Sequence, residues 1–246
     1  DFEKTTLEPI LASGPYRIDL VDPGRAISYT RVSDYWGADL PINRGRNNFD
    51  ALRIDYYRDD TVALEAFKAH EFDWRSENTA KVWAKSYNGP AIETGLIKKV
   101  EILHDQPTGL SAFVFNTRRA RFADRRVREA LALVFDYEWT NKNLFFGAYT
   151  RTRSFFSNSE LASAGLPSAA ELALLEPYRG RIPEDVFTTE FIPPMTDGSG
   201  NNRGSLRAAS KLLREAGWVV TDGKLVHGET GAPFEFEFLL QSGGAF

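Results

Sequence analysis

Two hydrophobic periods alternate along this chain, and that alternation constrains its fold more than any other feature. In GPYRIDLVDPGRAISYTRV, Tyr16, Ile18 and Leu20 take every second position, Asp22-Pro23-Gly24 supplies a turn, and Ile27 and Tyr29 resume the spacing. This is the pattern of a β-hairpin. Leu52, Ile54 and Tyr56 predict a third strand. At Thr61 the period lengthens, and Val62, Ala63, Ala66 and Phe67 share one face of a helix running to His70. EFDW reads as extended, Lys81 to Tyr87 as helical, and GLIKKVEIL (95–103) as a return to strand. LSAFVFNT (110–117) is a compact apolar run rich in β-formers, preceded by Pro107-Thr108-Gly109, which predicts a strand just after a boundary between lobes. Strands alternating with helices predict an α/β architecture.

The stretch FNTRRARFADRRVREALALVFD (115–136) crowds six arginines into eleven positions before turning apolar. With Asp124 as N-cap, Val127, Ala130, Leu131, Val134 and Phe135 form one stripe of a helix. Arg125, Arg126 and Glu129 then face away from it and Arg128 lies at its edge. The basic run is therefore expected to be a solvated, ion-paired face. Nucleic-acid binding is disfavoured because 30 basic against 34 acidic side chains leave a net charge of −4. Residues 150–202 are long, turn-rich and irregular, the kind of connection that wraps a surface or carries function. After DGSGNNRGS, the residues Leu206, Ala209, Leu212, Leu213 and Ala216 predict a further amphipathic helix stopped by Gly217. Phe234, Phe236, Phe238 and Leu240 alternate with Glu235 and Glu237 as a half-buried strand. The opening carries no charged-then-apolar leader and the sequence stops just after that strand, so the chain reads as an internal fragment.

Chemical signals are sparse. The absence of cysteine removes disulfides, thiolate nucleophiles and zinc knuckles. His70, His104 and His227 lie far apart without metal-ligand spacing, which predicts surface or capping roles and no metal site. DGSGNN resembles the start of a calcium loop, but Asn202 stands where glycine is needed and Ala208 where glutamate is needed, so a turn is expected. No glycine-rich phosphate loop and no nucleophile elbow is present. Carboxylates such as Asp59, Asp60, Asp73 and Glu77 are scattered among 34 acids and are expected to be solvated. Aromatic residues make up 13%, clustered beside polar groups in SDYWG, FDWRSEN and LFFGAYTRTRSFF. Rings that bury area at little entropic cost, flanked by orienting charges, suit a binding cleft as well as a core.

In order along the chain, SGPYRI, ISYTRVSDYWG, EAFKAHEFDW, FNTRRARFADRRVREALALVFD and ASKLLREAGW resemble motifs of the family 5 extracellular solute-binding proteins, the peptide-binding receptors of ABC importers. NRGRNNFDALRIDYYRDDT and DGSGNNR are similar to the YejA-like branch, associated with oligopeptides and peptide-like compounds. The resemblance implies a type II, periplasmic binding protein-like two-lobe α/β fold, incomplete here, with residues 1–108 part of the first lobe and 109–246 part of the second. It implies an oligopeptide or peptide-like ligand, a membrane permease as partner, no cofactor, no nucleic acid, a monomer, and the periplasm of a Gram-negative bacterium. By resemblance the ligand-binding positions are Arg75, Glu77 and Asn78 after FDW, Gly109, Leu110 and Ser111 at the crossover, and Tyr149, Arg151 and Phe155 in the GAYTRTRSFF loop. Arg75 or Arg151 would pair with a carboxylate, and the crossover would offer backbone hydrogen bonds. Against this, Arg75 and Glu77 can simply pair with each other or with neighbours. The acidic anchor that the family uses for a peptide amino terminus would lie beyond Phe246. The rival functions are a hydrolase acting on small peptides or sugars and a non-transport sensor or adhesion domain of the same fold.

Overall fold

The hairpin forms where the alternation places it. The computed structural model describes residues 6–240. Strands β1 (Tyr16–Asp22), β2 (Ala26–Arg31) and β3 (Ala51–Asp55) make one antiparallel sheet in that order. Between β1 and β2 the Arg25 N–H donates to the Asp22 carbonyl at 3.0 Å while Gly24 takes φ 73°, a conformation glycine adopts without a Cβ clash. Helix α1 (Asp60–Lys68) starts at Asp59, whose carboxylate accepts the N–H groups of Thr61 and Val62, each at 3.0 Å. Its buried face is Ala63, Leu64 and Ala66, and Val62, expected there, is exposed. Residues two apart on a helix lie about 200° apart, so turning Leu64 inward turns Val62 out.

Helices α2 (Ala80–Lys85) and α3 (Pro90–Glu93) follow. The strand expected at 95–103 is absent. Its first residues instead close the end of α3, with Gly95 N–H on the Ile92 carbonyl at 3.0 Å and Ile97 N–H on the Ala91 carbonyl at 2.9 Å. EFDW likewise forms bends and carries no strand.

The remaining elements are α4 (Ala120–Ala123), α5 (Arg125–Val134), α6 (Tyr137–Asn143), α7 (Ala169–Leu175), α8 (Asp185–Thr188), α9 (Arg203–Glu215), β4 (Trp218–Thr221) and β5 (Lys224–His227). The described chain divides into two compact units, 6–76 with 89–97, and 77–88 with 98–240. In the first unit the three-stranded sheet is joined by α1 and α3.

The second unit is organised by α5 packed on α9. Val127 and Ala130 are fully buried and Ala209 nearly so, while Phe122 and Trp218 close the core with Leu131, Leu213, Leu225 and Phe234 against them. The helices run antiparallel and cap each other. Arg126 near the start of α5 donates to the Glu215 carbonyl at the end of α9 at 2.7 Å, and Asn202, the N-cap residue of α9, donates to the Leu133 and Val134 carbonyls ending α5 at 3.4 and 3.3 Å. Asp124 caps α5 by accepting the Arg126 N–H at 2.8 Å. Val134 and Phe135, expected on the α5 stripe, are both exposed, and Phe135 already leaves the helix in extended conformation.

The structure has no strand over 110–117 or 234–240. Both stretches were expected to be strands from their apolar alternation. The alternation nevertheless brings them together through rings, Phe113 against Phe238 at 5.0 Å and Phe122 between Phe115 and Phe236 at 5.3 and 5.5 Å. A strand needs a partner backbone as well as a patterned face, and rings can meet without one.

Sequence reasoning missed the β4–β5 hairpin. Its turn residues Asp222 (φ 50°) and Gly223 (φ 75°) are the Asp-Gly pair that favours a two-residue hairpin loop. His227, expected at the surface, packs edge-on to Trp218 at 5.2 Å with its Nδ1 buried and unpartnered. Its place is set by the β4–β5 register, which pairs it with Trp218. The irregular 150–202 span holds α7 and α8, and α7 carries a full capping box between Ser168 and Glu171. The Ser168 hydrogen bonds hold the Glu171 carboxyl below its usual range.

Candidate ligand-binding site

In the first unit, Arg75 follows the FDW bend and lies 3.7 Å from Asp60 in the first turn of α1, with most of its side chain buried. A carboxylate of the protein itself thus lies within ion-pair reach of it. The other positions belong to the second unit.

Glu77 precedes α2, accepting the Thr79 N–H at 2.9 Å and the Tyr87 hydroxyl at 3.1 Å. The next residue, Asn78, is exposed and meets the loop after α6: the Tyr149 hydroxyl donates to the Asn78 carbonyl at 3.4 Å. Tyr149 is itself fixed by Asn141 of α6, which donates to its carbonyl at 2.7 Å and accepts its N–H at 3.2 Å, while Phe145 packs edge-on to its ring at 5.0 Å. The structure therefore joins Asn78 to Tyr149 across 71 residues of sequence. Asn141 is the residue that sequence reasoning missed in this group. Two carbonyl-facing amides eight residues apart leave no periodic signal.

Arg151 faces inward. Its guanidinium donates to the Pro194 carbonyl, lies 3.9 Å from Glu138 and sits 5.2 Å from the centre of the Tyr137 ring. Thr196 completes this cluster, its hydroxyl donating to Asp136 at 2.5 Å and its N–H to Glu138 at 3.0 Å. Burial pushes the Tyr137 phenol above its usual range, with Arg151 opposing, and its hydroxyl is buried without a partner. Arg151 straps the 194–196 segment onto the start of α6. A carbonyl, a carboxylate and a ring of the protein thus lie around this guanidinium.

Gly109, Leu110 and Ser111 are exposed in a stretch without regular structure. Just before them, Thr108 donates to the Ser157 carbonyl from its N–H at 2.9 Å and its hydroxyl at 3.2 Å, and Asn158 donates to the His104 and Gln106 carbonyls at 3.0 and 2.8 Å. These bonds bring the crossover beside the loop bearing Phe155, whose side chain is 76% exposed. Ser154 anchors that loop by accepting the N–H groups of Phe156 and Ser163 at 3.1 and 3.2 Å. The arrangement offers exposed peptide groups, a phenol and a ring, which suits hydrogen bonding and stacking. Among the described residues no cluster of metal-ligating side chains occurs, and no helix is long and apolar enough to cross a membrane.

Comparison with known proteins finds relatives along nearly the whole chain. Escherichia coli K12 has an uncharacterized protein, YejA, that is 50% identical over 232 residues, covering 94% of this chain and 38% of that protein. The "Probable peptide-binding protein YejA" of Agrobacterium fabrum C58 is 39% identical over 246 residues, covering 99% and 40%. The chain thus spans about two fifths of the length of these relatives. Brucella suis NikA, solved in complex with Fe(III)-EDTA, superposes with a TM-score of 0.55 at 18% identity over 90% of this chain and 36% of that one. That likeness gives the α/β fold of the periplasmic solute-binding proteins, of which this chain spans a part. The family profile for bacterial extracellular solute-binding proteins, family 5 Middle, matches residues 1–245, and the chain belongs to that family.

Proposed function

We propose that the chain forms part of the substrate-binding receptor of an ABC importer, which captures oligopeptides or peptide-like compounds in the bacterial periplasm and hands them to a membrane permease. The observation that carries this is the family match along residues 1–245, and the peptide-binding name of the Agrobacterium relative supports the ligand class. In this reading the receptor works as a monomer and closes two lobes over its ligand, as hinged binding proteins do, with 1–108 contributing to one lobe and 109–246 to the other. The exposed set of Asn78, Gly109, Leu110, Ser111, Tyr149 and Phe155 meets the ligand. Arg75, Glu77 and Arg151 act through the neighbours that hold them, Asp60, Tyr87 and Pro194.

Binding without chemistry is the core of the proposal. Titration calorimetry of the full-length polypeptide against tri- to pentapeptide mixtures, with mass spectrometry of the recovered peptides, tests it. Submillimolar binding with intact peptides is the expected result. Cleaved peptides would establish the hydrolase reading instead, and no binding of any peptide would remove the ligand class.

A further inference from the structure

Trp83 lies in α2 and Tyr87 two residues past its last residue, Lys85, where the chain bends. They meet edge to face at 5.9 Å. Into this corner reaches Lys99, from the segment where a strand was expected. Its Nζ lies 4.4 Å from the centre of the Trp83 ring and 5.8 Å from that of Tyr87, and donates to the Trp83 carbonyl at 2.5 Å. Tyr87 is oriented from behind, its hydroxyl donating to Glu77 at 3.1 Å. Two π faces and a carbonyl oxygen converging on one point are the elements with which proteins recognise an ammonium group. Trp83 and Tyr87 are partly buried, whereas Lys99 is exposed at the end of a flexible stem. The corner is built by the helix and the bend that follows it, and the lysine is its tethered occupant.

We infer that the Trp83–Tyr87 corner is an ammonium-binding subsite that Lys99 fills and from which a primary alkylammonium from outside displaces it. This inference rests on the receptor reading only for what presents the ammonium, either a lysine side chain or the amino terminus of a peptide-like compound. A tethered group competes as if present at an effective concentration of the order of millimolar. The wild-type corner is therefore closed to dilute amines and opens to a ligand whose other contacts add to its ammonium.

Nuclear magnetic resonance of the full-length polypeptide with isotope-labelled lysine tests this. Methylene protons next to the Lys99 ammonium should be shifted upfield by the rings. Adding tens of millimolar n-butylammonium chloride should abolish the shift, while sodium chloride of equal ionic strength should not. Lys99→Met should bind n-butylammonium at least tenfold more tightly than wild type, read from the ligand's own proton resonances, and should ignore n-butanol. Adding Trp83→Leu should remove that binding. Comparing Nα-acetyl-lysine amide with alanine amide identifies which ammonium is preferred. An unshifted Lys99, a shift that salt alone removes, or equal binding of butanol and butylammonium would each overturn the subsite, as would a folded Lys99→Met that binds no better than wild type. The wild-type displacement decides the matter even where the variant fails to fold, and a negative result there leaves peptide capture by the receptor untouched.

Discussion

Asp124 serves α5 twice. It accepts the Arg126 N–H as cap and pairs with the Arg126 guanidinium at 2.5 Å. The hydrogen bonds from Arg126 hold its carboxyl below the ordinary carboxylate range. Its stabilisation is thus fully present above the unfolded value of about 3.9 and is lost as pH falls through the lower folded value. Asp124→Ala should cost about 1 kcal/mol at neutral pH, a fall in melting temperature of about 2–4 °C for a chain of this size. The deficit should shrink below about pH 4 as the wild-type carboxyl becomes protonated, which melting curves across pH 3–7 would show. This cap was legible in the sequence because aspartate stands immediately before an apolar periodic run. The role of Arg151 was not, since its partners Pro194 and Glu138 are 43 and 13 positions away and nothing local announces them.

At the scale of elements, the α5–α9 pair carries the second unit. Val127 is fully buried between Phe122 and Trp218, so Val127→Ala leaves a cavity in a close-packed site and should cost about 2 kcal/mol. Thermal unfolding should then fall by about 4–8 °C, and an unchanged midpoint would mean that this helix pair is not the core. Both helices were readable from period alone, as were α1 and the β1–β2 hairpin. Strands at 95–103, 110–117 and 234–240 were read from the same kind of pattern and are absent. The difference is physical. A helix closes its own hydrogen bonds within a few residues, whereas a strand borrows them from a backbone whose whereabouts its own sequence does not contain.

For the whole molecule, apolar surface is the telling quantity. Phe113, Val114, Phe238, Leu239 and Leu240 are all exposed, and the Phe113–Phe238 contact places two of the patches side by side. Surface of this kind marks an interaction face or an aggregation liability. The 246-residue chain expressed alone should bind an apolar-surface dye and scatter light on concentration, while the full-length polypeptide, with more than twice this length in its relatives, should do neither. Equal dye binding by both would show that the face stays open.

The reciprocal ties between α5 and α9 carry one more implication. Arg126 waits for a carbonyl 89 positions later, and the final turn of α5 waits for Asn202, 68 positions beyond Val134. Coiling of an isolated helix takes about a microsecond or less, yet these ties can form only once the intervening stretch has looped back. The clock for those ties is long-range ring closure of the polypeptide.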